Sequence, residues 1–206
     1  MSITINGDGT ITGYTPATIS GTITPTQING NIAASKMPSG SIIQVAKNNY
    51  TSAPAAIAVP NSSTVDLPYT VTITSTLANS KFLITGTVNG EPNVSDHLIG
   101  IILKREIGGT STSINIGDTA GVRNSITANQ AVGYYSADNL STPSSTALAL
   151  YLDEPNQNAG TAITYKYCLI GLGAGGSFYL GQTVQATNNA AYERIANHIT
   201  VLEVAP

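Results

Sequence analysis

The residues with the most chemistry on offer are glycines. Gly171, Gly173 and Gly176 satisfy G-x-G-x-x-G within TAITYKYCLIGLGAGGSFYLGQT, residues 161–183. At that spacing a glycine turn lets backbone approach a dinucleotide pyrophosphate. The chemistry also needs a helix opening directly after the glycines, so that its first amides face the phosphates. The next residues in this chain are Phe178, Tyr179, Leu180 and Gly181, a β-type run. The stretch therefore reads as a β-hairpin with a glycine-rich tip rather than a nucleotide site.

Acid–base and metal chemistry find equally little support. His97 and His198 are the two histidines and stand at neither H-x-x-H nor H-E-x-x-H spacing, which offers no zinc site. Ser95, Asp96 and His97 are neighbours whose side chains point apart on an extended chain, and no G-x-S-x-G turn exposes a nucleophilic serine. Asp153 and Glu154 are adjacent at a strand end and face opposite sides, so they do not form the pair roughly 5 to 9 Å apart that glycoside hydrolysis uses. Convergence of other carboxylates in space stays open. Asp118, in NIGDTAG, lacks the further acids of a calcium loop. Cys168 is the single cysteine and reads as a buried thiol acting as a small apolar residue. The sequons at Asn61, Asn93 and Asn139 are the matches a chain rich in Ser, Thr and Asn produces by chance. No catalytic residue, metal or cofactor is expected, and the chain is read as not an enzyme.

Composition points elsewhere. Charged residues make up 9% of the 206, against about 25% in ordinary soluble domains. Thr, Ser, Asn and Gly must keep such a surface wet, or copies of the chain and a larger assembly must cover it. The net charge of −3 comes with no basic cluster, which argues against nucleic acid as partner. No signal peptide and no apolar run long enough to span a bilayer is present, so neither a membrane nor standard export is expected.

Residues 1–38 read as an arm. An isoleucine, one polar residue and a glycine recur at Ile5-Asn6-Gly7, Ile11-Thr12-Gly13, Ile19-Ser20-Gly21 and Ile28-Asn29-Gly30. Strands this short cannot close a core within one chain. They either wind around identical chains, add to a sheet edge on another protein, or form a disordered linker. Ile3, Ile5, Ile11, Ile19, Ile23 and Ile28 are the candidate docking or inter-arm anchors. IAASKM, residues 32–37, allows one helical turn ended by Pro38.

Residues 39–206 read as an all-β domain. Strands are expected at 41–47, 69–74, 81–88, 98–107, 113–116, 125–137, 147–152, 161–170, 177–180 and 198–205. Asn89-Gly90 is expected to turn the chain, with Pro92 holding the following loop out of the sheet. A short helix is expected around 189–197. Short alternating strands with turn signals at regular intervals are the pattern of an antiparallel β-sandwich or jelly roll. Ten tyrosines and no tryptophan supply rigid amphipathic contact groups. Tyr50 is expected near a loop, and Tyr134, Tyr135 and Tyr192 are the candidate receptor-facing residues. Packing in the core or between subunits is the alternative use.

The order of segments carries a resemblance. PSGSIIQV, TVTITSTLANSKFLITGTVNG, LIGIILKREIGG, INIGDTAGVR, ALYLDEP, TYKYCLIGLGAGG, YLGQT and HITVLEV together resemble the C-terminal β-domain of fibre-like virion proteins of tailed bacteriophages, marine ones especially, over most of 38–206. ITINGDGTITG resembles their leading arm. The resemblance implies a homotrimer at the virion surface, its jelly-roll-like domains outward and its arms docked on the major capsid protein or another virion protein. The arm is short and no coiled-coil or collagen-like shaft comes after it, which favours a capsid-attached spike, head fibre or decoration protein. The alternatives are a tail fibre that binds a host glycan or receptor for adsorption, and a glycan-degrading tailspike.

Overall fold

From residue 42 onward the chain mostly obeys a period of two, and that alternation builds the fold. The computed structural model describes residues 4–5, 11–12, 32–93, 98–130, 144–173, 175–185, 188, 190 and 192–206. Two compact units divide it, Met1–Ala33 and Ala34–Pro206. In the first, β1 (Thr4–Ile5) and β2 (Ile11–Thr12) pair antiparallel, with Ile5 opposite Ile11.

The second unit opens on a 3-10 turn at Ala34–Lys36, just before Pro38, where the helical turn was expected. Eleven strands come next: β3 (Ile42–Tyr50), β4 (Ile57–Val59), β5 (Thr64–Thr74), β6 (Lys81–Pro92), β7 (Leu98–Ile107), β8 (Thr110–Ile114), β9 (Ala128–Asn129), β10 (Ser144–Asp153), β11 (Ala162–Leu172), β12 (Gly176–Leu180) and β13 (Asn197–Val204). They form two antiparallel sheets. One runs β3-β13-β6-β12-β4, with β10 on the other edge of β6; the second runs β5-β11-β7-β8, with β9 also on β7. Take β3, β5, β6, β7, β8, β10, β11 and β13 as first to eighth. One sheet then reads first, eighth, third, sixth and the other second, seventh, fourth, fifth, which is jelly-roll connectivity.

The core lies between the sheets. Phe82, Ile84, Val88, Phe178, Ile199 and Val201 from the six-stranded sheet meet Tyr69, Ile73, Ile101, Leu103, Ile163, Tyr165 and Tyr167 from the five-stranded one. Among the described tyrosines, Tyr69, Tyr165 and Tyr167 are core residues. Tyr69 is buried with its hydroxyl donating to Thr87 O across the sandwich at 2.9 Å. Tyr50, expected near a loop, lies at the end of β3 and stacks on Tyr69 with ring centroids 5.6 Å apart.

Several expectations need correcting. β11 and β12 are not a hairpin: β11 pairs with β5 and β7, β12 with β4 and β6. The glycines between them carry the chain from one sheet to the other. Asn89-Gly90 is not a turn, for β6 continues to Pro92, which pairs with Phe178. Gly90 serves close approach instead, since a Cβ there would lie 2.5 Å from Tyr179 O and 2.6 Å from Phe178 Cζ. The true two-residue turn is Gly108-Gly109 between β7 and β8, with φ of 57° and 80°, the positive pair that such a hairpin needs. The return strand after it therefore begins at Thr110, ahead of the expected 113. The described residues of 189–197 contain no helix; Arg194 instead bridges to Gln182. Of the strand expected at 125–137, β9 covers Ala128–Asn129, and 131–137 lie outside the described residues.

Candidate functional site

The six-stranded sheet inverts the usual polarity at the end where β6 begins. In register across its strands, Gln44, Glu203, Phe82 and Asp153 form one inward-facing row. The next row, one residue along each strand, is Val45, Leu202, Leu83 and Leu152, and the alternation of a strand turns it to the outside. Two acids thus point into the sandwich, and a line of four aliphatic side chains points out.

The buried acids are anchors. Glu203 is 0% exposed. It accepts from Thr76 N at 2.6 Å, Thr76 Oγ1 at 2.7 Å and Leu77 N at 3.3 Å, which ties β13 to the turn between β5 and β6. The Gln44 amide, turned with its nitrogen inward, reaches Glu203 Oε2 and Thr74 O, each at 3.0 Å. Asp153, 3% exposed, accepts from Arg105 Nη1 at 2.7 Å and from the Tyr165 hydroxyl at 2.8 Å, joining β10 to β7 and β11. Burial, with the Asp153 charge next, pushes the Tyr165 hydroxyl well above the ordinary tyrosine range. Glu154, the next residue, turns to the outer side and pairs with Lys81 at 2.7 Å, so the two acids do face opposite ways.

The five-stranded sheet presents the opposite surface. Outward on β5 stand Asp66, Pro68, Thr70, Thr72 and Thr74, all exposed. Beside them, Lys166 Nζ lies 2.7 Å from Asp66 Oδ2 and 3.0 Å from Glu106 Oε2. Hydrogen bonds to Asp66 and then Glu106 raise Lys166 to about 12. Lys104 donates to Thr64 Oγ1 at 2.7 Å. Cys168, buried on this side, is more than an apolar filler, because its Sγ donates to Asp66 Oδ1 at 3.0 Å. Burial, and after it that bond, pushes the thiol up to about 12. Burial works against ionisation at Asp66, but the Cys168 and Lys166 bonds and the nearby lysine charges outweigh it and hold the carboxyl below its ordinary value. The carboxylates of Asp66 and Glu106 do converge, on a lysine whose single charge they share.

The chemical candidates are thereby placed. Gly171 N donates to Pro60 O and Gly173 O accepts from Asn61 Nδ2, and the strand β12 begins at Gly176. His198 lies on β13 with Nδ1 3.1 Å from Thr87 Oγ1. Tyr192 is half-buried and its hydroxyl donates to Gln185 Oε1. Ile5 and Ile11 are brought opposite one another in β1 and β2; Ile3, Ile19, Ile23, Ile28, Tyr134, Tyr135 and His97 lie outside the described residues. Among the described residues no three acids, histidines or cysteines are grouped to hold a metal ion, and no helix is long and apolar enough to cross a membrane.

The feature that residue-by-residue reading missed is the outward aliphatic band. Val45 is 58% exposed and Leu152 43%, flanked by Ile42 at 52% and Leu150 at 65%. Its signal was present in the strands but scattered over four of them.

No family model matches this chain, and no curated protein does. Among solved structures, a chain of infectious bursal disease virus, Gx strain, is similar at 15% identity and a TM-score of 0.37, over 80% of this chain and 42% of that one. A chain of the Gt strain is similar at 14% identity and 0.39, over 81% and 43%. This chain therefore spans less than half the length of those viral chains.

Proposed function

We propose that this chain is a structural component of a virus particle: a short spike, head fibre or decoration protein docked on the capsid of a tailed phage by residues 1–38. The observation that carries the reading is the inverted polarity of the six-stranded sheet. Its acids are buried and fully engaged, while its aliphatic side chains face outward, an arrangement suited to assembly rather than to chemistry. The small net charge of −3 agrees, since copies crowded on a capsid repel one another less when each carries little net charge. The phage assignment itself rests on the order of segments from PSGSIIQV to HITVLEV. In the arm, pairing of Ile5 with Ile11 puts two of the candidate anchors at one place on a short hairpin, from which strand addition to a virion protein can proceed.

Quantitative mass spectrometry of purified particles, with the major capsid protein as the internal standard, tests this. Hundreds of copies per particle are expected. A few tens would move the protein to the tail and to host adsorption, and absence from particles would end the virion reading. Within it, replacing Ile3, Ile5 and Ile11 by Asp is expected to abolish incorporation while leaving the 39–206 domain folded.

A further inference from the structure

We infer that the outward band of the six-stranded sheet is the surface on which a second copy of this chain packs. The inference deepens the assembly reading above and rests on it. The band is built from four strands. Val45, Leu202, Leu83 and Leu152 run in register across β3, β13, β6 and β10, with Ile42 and Leu150 extending it on the two edge strands. Strands about 4.8 Å apart, rising about 3.4 Å per residue, make four strands over some six residues a face of about 400 Å². That face, whose outward positions also include Thr85 and Thr200, is within the range of the largest patch on a typical monomer, which is often functional. It is about half of the roughly 800 Å² that each partner gives to a standard interface, and the threonines and charged residues around it are fit to form the polar rim.

Charge says which partner fits. The rim of the band carries Lys81 and Glu154, paired at 2.7 Å and 41% and 52% exposed. One cation and one anion side by side make the rim its own electrostatic complement, so a second copy turned about a symmetry axis can set Lys81 against its neighbour's Glu154. A partner with a strongly acidic or basic surface would find no matching field here. The shape agrees as well, because the exposed face of one sheet packs most fully on another sheet face. The outer face of the five-stranded sheet offers no such surface. Its outward rows are polar from strand to strand, with Thr72, Thr164, Glu106 and Ser111 in one and Thr70, Lys166, Lys104 and Ser113 in the next.

The test is the mass of the full chain in solution by light scattering, for three proteins. The wild type is expected above the 21.1 kDa of one chain. Val45→Glu/Leu152→Glu, which alters two exposed positions on edge strands, is expected at the mass of one chain with an unchanged near-ultraviolet circular dichroism spectrum. Thr70→Glu/Thr72→Glu, on the other sheet, is expected to keep the wild-type mass. A monomeric wild type, or a band variant with the wild-type mass, overturns the inference. Particle copy number is independent of this result: association in solution with absence from particles would leave the second-copy surface standing and remove the virion reading.

Discussion

The two outer faces of this sandwich were given opposite assignments by the same alternation of strands. On the five-stranded sheet the outward positions carry threonines and a Lys166–Asp66–Glu106 cluster, and the inward positions carry Tyr165, Tyr167 and isoleucines. On the six-stranded sheet, where β6 begins, the outward row is Val45, Leu202, Leu83 and Leu152 and the inward row holds Glu203 and Asp153. One face turns polar side chains outward; the other turns aliphatic ones outward. The cost of putting these acids inside is met by specific donors, since Glu203 and Asp153 each receive at least two hydrogen bonds. Outward leucines and inward acids therefore belong to one register choice.

The sharpest way to break that contrast is to remove an inward acid. Glu203→Ala should cost about 3 kcal/mol, because Thr76 N and Leu77 N lose their buried acceptor. Glu203→Gln, which keeps one acceptor oxygen, should cost about half as much. Denaturant midpoints measured on the isolated domain check both. Asp153→Ala should approach the Glu203→Ala loss, as it strands Arg105 and the Tyr165 hydroxyl at the other side of Phe82.

Alkaline pH should act next, and through the five-stranded sheet. Burial raises the Tyr69, Tyr165 and Tyr167 hydroxyls above their ordinary value and raises the Cys168 thiol to about 12. An unfolded chain ionises these groups at their ordinary values, so their contribution is complete below about pH 9 and is lost as pH rises toward the folded values. Lys166, raised to about 12, works in the same direction. Asp66 works in the other: its depressed carboxyl contributes above the ordinary 3.8 and loses that contribution as acid protonates it in the folded state. Urea midpoints should be level near neutrality and fall steeply above about pH 9, and Cys168→Ala should make that fall shallower.

Smaller effects sharpen the comparison. Lys166→Met should cost about 1 kcal/mol, a surface ion pair being worth little even when two carboxylates share the cation; an unchanged midpoint would mean the cluster is fully screened. Least of all, Leu83→Thr should change the stability of the isolated domain by less than about 1 kcal/mol, since its side chain is only partly covered. Yet it should weaken association measurably in sedimentation experiments. A large stability loss with unchanged association would mean that the band serves the fold of one chain.

Much of this was legible in the sequence, for reasons that also explain what was not. β7 falls on the expected Leu98–Ile107, because a long apolar strand between turn signals has no competing reading. Asp153 and Glu154 face opposite sides as a period of two requires. Asn89-Gly90 misled because its glycine answers to Tyr179 and Phe178 on another strand, and local turn chemistry carries no trace of them. The segment around Gly173 misled for a related reason: consecutive strands in a jelly roll need not be neighbours, and nothing near the glycines says that β11 and β12 join different sheets. The aliphatic band is the extreme case. Each of its residues is an unremarked Leu or Val in its own strand, and the band exists only in the register of four strands distant in sequence.

That dependence on register has a consequence in time. β3 has β13 as its neighbour in the sheet, and β13 also lies between β3 and β6. During synthesis, residues 42–50 must wait for residues 197–204, and contacts closing so long a loop form slowly. Until then Val45 and Leu83 are separated by an empty strand position, and Leu202 is not there to join them. A half-made chain therefore does not yet present the completed band, and copies that meet early lack the surface on which to pair. Insertion of one late strand completes the core and licenses assembly in the same step.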